Sequence, residues 1–181
     1  MNGRASRLEM DAHAIDQSRR TLISMEEERE MSYKNILVAV DTTDEAEDVI
    51  RVARELAQEN TARISAVTVI RPMADFYINL YSSLESSPDP GIEARAVERA
   101  SAWLSDLVKR FDIDAGAVTV LIGTPAAEIR QLADKIGADL IVLGTHGRHG
   151  LGLMLGSTAN GVLHGAPCDV LAVKVRSRES G

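Results

Sequence analysis

The sequence has 181 residues, of which 45% are hydrophobic and only 3% aromatic, and its formal net charge is −7. This length suits one domain with a tail, and the aliphatic composition is typical of parallel α/β sheets. The negative charge argues against general binding to nucleic acid, and no apolar run approaches the roughly 20 residues of a membrane span. We therefore expect no nucleic-acid partner and no membrane insertion. A single cysteine, Cys168, excludes an intrachain disulfide and favours a cytoplasmic location.

The first 32 residues are predicted to lie outside the fold, as a disordered or loosely helical tail. They are polar, contain the charged run Glu26–Glu30 and have few apolar residues. Two other interpretations of this segment remain open. It is an interaction arm, or it is sequence upstream of a native start near Met31. The folded domain is predicted at 33–176, followed by a polar tail at 177–181.

The chain after the tail begins with a strand–helix–strand unit. Lys34–Val40 is a compact apolar run that predicts a strand, and Asp41 follows it directly. Thr42 and Glu45 have the spacing of a capping box, and apolar residues then recur at helical spacing. Arg63–Ile70 is predicted as the second strand. This order implies a parallel pair joined by a right-handed crossover.

The stretch 71–91 is rich in proline and serine and is long for a connection in a compact domain. Near-helical spacing of apolar residues between Phe76 and Leu84 predicts a short helix that covers the sheet edge or a partner subunit. A lid over a ligand is the alternative. A longer helix is predicted at 92–111, where the apolar residues share one side.

The second half of the chain repeats the alternation of strand and helix. Further strands are predicted at 117–122, 140–143 and 169–175. Thr124 is predicted as the N-cap of the third helix, Pro125 as its first residue and Gly137 as its C-cap. This alternation predicts a single doubly wound α/β domain, in which a five-stranded parallel sheet carries helices on both faces.

A glycine-rich loop follows the fourth strand and precedes a short helix. Its glycines are Gly144, Gly147, Gly150, Gly152 and Gly156. Such a density suggests positive φ angles or a close approach of the backbone to a ligand. Ser157 and Thr158 lie where the helix begins, beside the free N–H groups of a first turn. The loop and the helix start together predict a phosphate site.

Ligands of open α/β sheets bind beyond the carboxyl ends of the strands, at the point where the strand order reverses. Two loops carry unusual chemistry, namely the one with Asp41 after strand one and the glycine loop after strand four. If these two strands are neighbours, both loops border one crevice.

Ser32 to Arg176 resembles the universal stress protein family. The resemblance is carried by NILVAVD in the first strand, by Gly123-Thr-Pro, by ADLIVLGTHGRHG, by LGSTAN and by APCDVLAV. It implies the strand order 3-2-1-4-5 and a homodimer formed through the last strand. It also implies a stress-response regulator that binds ATP or AMP, with or without Mg²⁺, and acts on an unidentified protein partner.

The resemblance also implies where the nucleotide is held. Gly144 and Gly147 would let the backbone approach the ribose and phosphates, and Gly156, Ser157 and Thr158 would donate hydrogen bonds to the phosphates. Arg148 either pairs with phosphate or is a solvated loop charge. The spacer Arg148–Leu155 is one residue shorter than the usual pattern, a length also found in family members that bind no nucleotide.

The nucleoside end of the implied site lies at the first two strands. Asp41 resembles the acid that contacts the nucleoside, and Ala39, Val40 and Val69 resemble the positions near the base. Asp41 has two further interpretations, as a catalytic base or Mg²⁺ ligand and as a carboxylate that caps a helix.

The same residues also allow other functions. His146, His149 and His164 invite a metal site, but zinc needs three or four convergent ligands, and a histidine beside phosphate is the better interpretation. Cys168 is interpreted as a small buried thiol rather than a redox sensor. Binding without efficient turnover is the leading hypothesis; a slow ATPase and a dimeric scaffold that binds no nucleotide are the alternatives.

Overall fold

The structure is a computed structural model, and it describes residues 32–72, 90–114, 118–145 and 155–174. The chain divides into two units, Met1–Ser32 and Tyr33–Gly181, and the described helices and strands all lie in the second. The elements in chain order are β1 (Asn35–Ala39), α1 (Ala46–Asn60), β2 (Arg63–Ile70), α2 (Pro90–Lys109), β3 (Val118–Ile122), α3 (Pro125–Ile136), β4 (Leu140–Gly144), α4 (Ser157–Leu163) and β5 (Asp169–Val173).

The five strands form one sheet in the order β3-β2-β1-β4-β5, and every neighbouring pair is parallel. This confirms the predicted fold class and the strand order that the resemblance implied. The central strand β1 aligns Ile36 with Ile64 of β2 on one side and with Leu140 of β4 on the other. Both faces of these central strands are covered, which explains their continuous apolar sequences.

Two apolar clusters cover the two faces of the sheet. On one face, Ile36 and Val38 pack with buried residues of α1 and α2, such as Ile50 and Leu104. On the other face, Leu37, Ala39 and Ile141 pack with Ile129 and Ala133 of α3 and with Val162 of α4. The alternation of side chains along β1 thus supplies both clusters, and the helices occupy both faces as predicted.

The amino edge of the sheet is held by one carboxylate. The side chain of Asp139 accepts hydrogen bonds from the backbone N–H groups of Lys34, at 2.6 Å, and Asn35, at 3.0 Å. The Asn35 amide donates in turn to the carbonyls of Ile136, at 2.6 Å, and Gly137, at 3.2 Å. These bonds join the start of β1 to the turn between α3 and β4.

Several predicted element ends need correction. Helix α1 begins at Ala46 with Glu45 at its N-cap, so Thr42 does not lie at the N-cap position that the predicted capping box requires. The backbone N–H of Ala46 instead bonds to the carbonyl of Thr43, at 3.1 Å, in a turn that precedes the helix. Thr124 does lie at the N-cap of α3, again without a side-chain bond, and Gly137 ends α3 in the left-handed region.

Helix α2 and strand β5 both end earlier than predicted. Helix α2 ends at Lys109 because Asp112 adopts a positive φ of 53° and the N–H of Ile113 turns back to the carbonyl of Val108. Strand β5 ends at Val173, with Lys174 beyond it. The tail at 1–31, the helix or lid predicted within 73–89, and Val175 lie outside the described residues.

Within the described ranges, no helix is both long enough and apolar enough to cross a membrane.

Candidate functional site

The strand order reverses between β1 and β4. From β1 the chain passes to α1 on one face of the sheet, whereas from β4 it continues to α4 on the other face. Ala39 of β1 lies opposite Leu143 of β4, so the two strands end at the same level. The chain therefore leaves these two neighbouring strands toward opposite faces of the sheet, the arrangement in which open α/β sheets bind ligands at the carboxyl edge.

Asp41 lies exposed in the first of these loops. One of its carboxylate oxygens accepts a hydrogen bond of 2.6 Å from the hydroxyl of Thr43. Thr43 thus holds the carboxylate, a role that was not predicted from the sequence. The second carboxylate oxygen has no protein partner among the described residues and is available to a ligand hydroxyl.

The apolar residues of the predicted site divide between the two faces of the sheet. Ala39 and Val69 belong to the cluster under α3 and α4, and Val69 is only partly buried. Val40 belongs to the opposite cluster, under α1 and α2, and its backbone N–H donates to the carbonyl of Val67, at 3.0 Å. A base seated on Ala39 and Val69 would therefore meet the backbone of Val40 rather than its side chain.

The two ends of the glycine loop are joined by a hydrogen bond. The N–H of Gly156 donates to the carbonyl of Thr145, at 2.7 Å, and the N–H of Thr145 donates to the carbonyl of Val173 in β5, at 2.9 Å. The start of α4 is thus fixed beside Gly144 at the end of β4. Thr145 was not identified from the sequence, because a backbone hydrogen bond leaves no residue-type signal.

The helix that follows the loop begins one residue earlier than it would if Ser157 were its N-cap. Gly156 is the N-cap of α4, and Ser157 and Thr158 are its first two residues. A glycine at the N-cap supplies no side-chain oxygen to the first N–H groups of this helix. Ser157 is exposed and Thr158 partly exposed. Two other predicted site residues, Gly147 and Arg148, lie outside the described residues.

Gly156 does not adopt a positive φ angle, which was one of the two explanations offered for the glycines of this loop. Its φ is −60° and its ψ is 153°, the extended conformation that an N-cap adopts. Among the described glycines, positive φ angles occur at Gly123 and Gly137 instead. A glycine at position 156 therefore matters for the space that a side chain would fill, not for its backbone angles.

A metal site and a reactive thiol are the rival interpretations of these loops. Among the described residues no three histidine, cysteine or acidic side chains cluster in a way that could hold a metal. His164 is exposed, with Nδ1 2.9 Å from the carbonyl of Asn160, whereas His146 and His149 lie outside the described residues. Burial raises the pKa of the Cys168 thiol above its usual value, and the charges of Asp139 and Asp169 add to this effect. A thiol so disposed stays protonated and weakly nucleophilic at neutral pH.

The described residues fit an adenosine phosphate. The partly buried side chain of Val69, beside the buried Ala39, suits a base, and the exposed carboxylate of Asp41 suits a ribose hydroxyl. The uncapped start of α4, with two hydroxyl side chains, suits a phosphate group. All three features lie at the carboxyl edge of neighbouring strands.

Sequence comparison relates the chain to known proteins over most of its length. The model of the universal stress protein family matches residues 32–174. Universal stress protein A homolog 1 of Coxiella burnetii is 39% identical over 148 residues, which cover 79% of this chain and 97% of that protein.

Solved structures share the fold. The universal stress protein UspA from Lactobacillus plantarum is 25% identical, with a TM-score of 0.58 over 80% of this chain and 99% of that one. The universal stress protein from Archaeoglobus fulgidus in complex with dAMP is 23% identical, with a TM-score of 0.50 over 81% of this chain and 100% of that one. A universal stress protein in complex with cAMP is also 23% identical, with a TM-score of 0.50 over 78% and 97%.

Proposed function

This chain belongs to the universal stress protein family, and on that premise we propose that it binds an adenine nucleotide, ATP or AMP, in the crevice where β1 and β4 end. The observation that carries the proposal is the hydrogen bond between the N–H of Gly156 and the carbonyl of Thr145. This bond fixes the start of α4 at the end of β4, one strand away from the loop that holds Asp41.

The nucleotide would lie with its phosphates at α4 and its nucleoside at β1 and β2. Gly156, Ser157 and Thr158 offer N–H groups and hydroxyls at the phosphate end. The free oxygen of Asp41 accepts from the ribose, and the base rests on Ala39 and Val69. Gly144 lies at the end of β4, between these two ends, and Gly147 and Arg148 stay predicted contacts of the phosphates.

The two nucleotide complexes among the structural neighbours support this proposal. Their ligands, dAMP and cAMP, differ at the 2′ position and in phosphate cyclisation, but both contain adenine, a pentose and one phosphate. The minimal ligand that we propose for this chain is accordingly AMP, with ATP as the triphosphate form. Mg²⁺ would accompany ATP, coordinated by oxygens of its phosphates.

We propose a regulatory role based on binding rather than efficient turnover. Phosphoryl transfer needs a positioned water or acceptor together with charge stabilisers, and no described residue is assigned to those tasks. The bound and free forms would present different surfaces to a regulatory protein partner in the cytoplasm. A slow ATPase is the second candidate, which phosphate release from ATP over hours tests directly.

The assembly proposed here is a homodimer that uses the edge strand β5. The limits of the folded domain, 33–176, stay a prediction that the mass of the stable fragment after limited proteolysis tests.

The first experiment is the release of bound nucleotide. Purified protein is denatured and its supernatant is resolved by ion-exchange chromatography beside AMP, ATP, cAMP and dAMP standards. Adenine nucleotide at near-stoichiometric yield supports the proposal and also names its phosphate state. If no nucleotide is released and calorimetric titration with AMP or ATP gives no heat, the dimeric scaffold becomes the better description.

The second experiment locates the phosphate by calorimetric titration of three variants. Gly156→Val keeps a permitted backbone angle but puts a branched side chain where phosphate would lie, so it should nearly abolish binding. Ser157→Ala removes one hydroxyl donor without removing a cap, and should weaken binding several-fold to about ten-fold. Asn160→Ala, one turn further along α4, is the matched control and should bind as the wild type does. Folded Gly156→Val with unchanged affinity would refute this placement.

A further inference from the structure

A groove outside the nucleotide crevice runs along the free edge of the sheet. Helix α2 packs on both β2 and β3, and one of its flanks overhangs β3. The groove has a volume of about 810 Å³ and ends at Ile122, whose exposed fraction is 41%. Its helical wall is formed by Glu93, Ala94, Val97, Glu98, Ser101, Ala102 and Ser105. None of the residues of the nucleotide crevice lines it.

Beside this groove lies the edge strand β3, of which Ile122 lines the groove. The N–H of Gly123 donates to the carbonyl of Ile70, at 2.9 Å, so the odd-numbered residues of β3 point their backbone groups toward β2. The backbone groups of Val118, Val120 and Ile122 therefore point outward. Within the described ranges, no hydrogen bond reaches these three residues from beyond the sheet edge. The strand, Val-Thr-Val-Leu-Ile, contains no charge or proline that would prevent pairing.

A second copy can contact the edge of β3 and the flank of α2 at the same time. If β3 pairs antiparallel with β3 of a second copy about Val120, the two-fold axis is perpendicular to the sheet and keeps both α2 helices on the same face. Neighbouring strands lie about 4.8 Å apart. Because each α2 lies above the space between β2 and β3 of its own copy, the axes of the two helices would be about 10 Å apart. Packed helices approach to roughly 8–10 Å. The small side chains at positions 94, 101, 102 and 105 permit that approach.

Charge complementarity also favours a second copy. Glu98 and Lys109 lie on the same exposed flank of α2 as the groove residues. The series 94, 98, 102, 105 and 109 advances by three or four residues at each step, which keeps its members on one side of a helix. An antiparallel helix pair whose axis passes beside Ala102 and Ser105 places Glu98 of each copy opposite Lys109 of the other. Among the described residues, the side chain of Lys109 makes a weak 3.9 Å contact with Asp106, and it is 62% exposed.

We propose that this surface, namely the edge of β3 with the α2 flank from Ala94 to Lys109, binds a second copy of the chain. In this contact, residue 118 of one copy lies opposite residue 122 of the other, and the two residues 120 lie opposite each other. The two α2 helices pack antiparallel above the paired strands. This contact is independent of the nucleotide and of the β5 dimer. Because β3 and β5 are opposite edges, a chain that uses both assembles beyond a dimer.

The test is a charge exchange measured by sedimentation velocity at low salt. Glu98→Lys and Lys109→Glu each put like charges opposite one another, and each variant alone should associate about ten-fold more weakly than wild type. An equimolar mixture of the two variants restores both attractive pairs and should restore association. The two positions are 11 residues apart on one helix, about 16 Å, so such a rescue can only arise between copies. Equal association in all samples, or a mixture no better than its components, overturns the proposal.

A second pair of variants tests the strand contact. Val120→Pro removes an outward N–H without removing a bond to β2, and should lower the mass of the assembly. Val120→Thr keeps the N–H and is the matched control, with circular dichroism confirming that both variants fold. A Val120→Pro protein that is folded and associates as wild type does also overturns the proposal. Nucleotide affinity should be unchanged in every one of these variants, which separates this result from the fate of the nucleotide site.

Discussion

Two glycines beside α3 adopt conformations that other residues rarely adopt, and they differ in their surroundings. Gly123 has a φ of 155° and Gly137 a φ of 63°. A Cβ at Gly123 would meet the side chain of Glu128, whereas a Cβ at Gly137 would meet nothing within 4 Å. We predict a loss of about 2–3 kcal/mol of unfolding free energy for Gly123→Ala and about 1 kcal/mol for Gly137→Ala, measured by urea denaturation. Adding Glu128→Ala to Gly123→Ala should recover the steric part of the loss; equal losses in the two glycine variants would contradict the prediction.

The thiol of Cys168 should make the protein less stable at alkaline pH. Burial, assisted by the charges of Asp139 and Asp169, raises its pKa above the usual value of 9.0. The folded state therefore holds this proton more tightly than the unfolded state, so the stabilisation is complete below the usual pKa and is lost as the pH rises through the raised one. Unfolding free energies measured from about pH 8 to about pH 10.5 should fall more steeply for wild type than for Cys168→Ala. Parallel curves would show that the thiol does not contribute.

Single residues also mark what the sequence could not predict about the site. The residue types at 41, 156 and 157 indicated a carboxylate and a phosphate-binding helix start, and the structure brings them to one edge. The conformation of Gly156 could not be predicted, because a glycine serves equally for a positive φ and for the absence of a side chain, and the sequence does not distinguish the two. The partner of Gly156, the carbonyl of Thr145, is a backbone group and leaves no trace in residue type.

The turn between α3 and β4 stabilises the start of β1 through Asp139. Its carboxylate accepts two backbone hydrogen bonds from Lys34 and Asn35, so Asp139→Ala leaves two amide groups without their acceptor. We predict a loss of about 2 kcal/mol of unfolding free energy, and a smaller loss for Asp139→Asn, which keeps one oxygen acceptor. Nucleotide affinity should not change, because this contact lies at the amino edge and the crevice at the carboxyl edge. A stable Asp139→Ala protein would show that water replaces the carboxylate without cost.

Element types were predictable from periodicity, whereas element ends depended on contacts that the sequence does not display. Continuous apolar runs predicted the central strands because both faces of the sheet are covered. The capping box at Thr42 and Glu45 failed because a turn at Thr43 delays the helix to Ala46. The bond between Asp139 and Asn35 joins residues 104 positions apart, beyond any local pattern.

For the molecule as a whole, the alternation of strands and helices specified a parallel sheet but not the order of its strands. That order came from the resemblance, and the structure confirms it. It determines which loops meet, since β1 and β4 are adjacent only in this order, and it leaves β3 and β5 as the two edges. The position of the crevice and of both assembly surfaces therefore follows from the order of the strands in the sheet.

The edge at β5 is the surface predicted to form the homodimer. The N–H of Thr145 donates to the carbonyl of Val173, so the odd-numbered residues of β5 face β4 and the backbone groups of Val170 and Ala172 point outward. An antiparallel pair about this edge would use those outward groups. Ala172→Pro removes one outward N–H while leaving the bonds to β4 intact, and should therefore prevent dimer formation without unfolding the domain.

The measurement is best made in a Val120→Pro background, which removes the contact proposed at β3. Light scattering at micromolar concentration should give the mass of a dimer for Val120→Pro and the mass of a monomer once Ala172→Pro is added. Ala172→Val, which keeps the N–H and suits a strand, is the matched control and should remain dimeric. A monomeric Val120→Pro protein would show instead that β3 is the edge by which two copies associate and that β5 stays free.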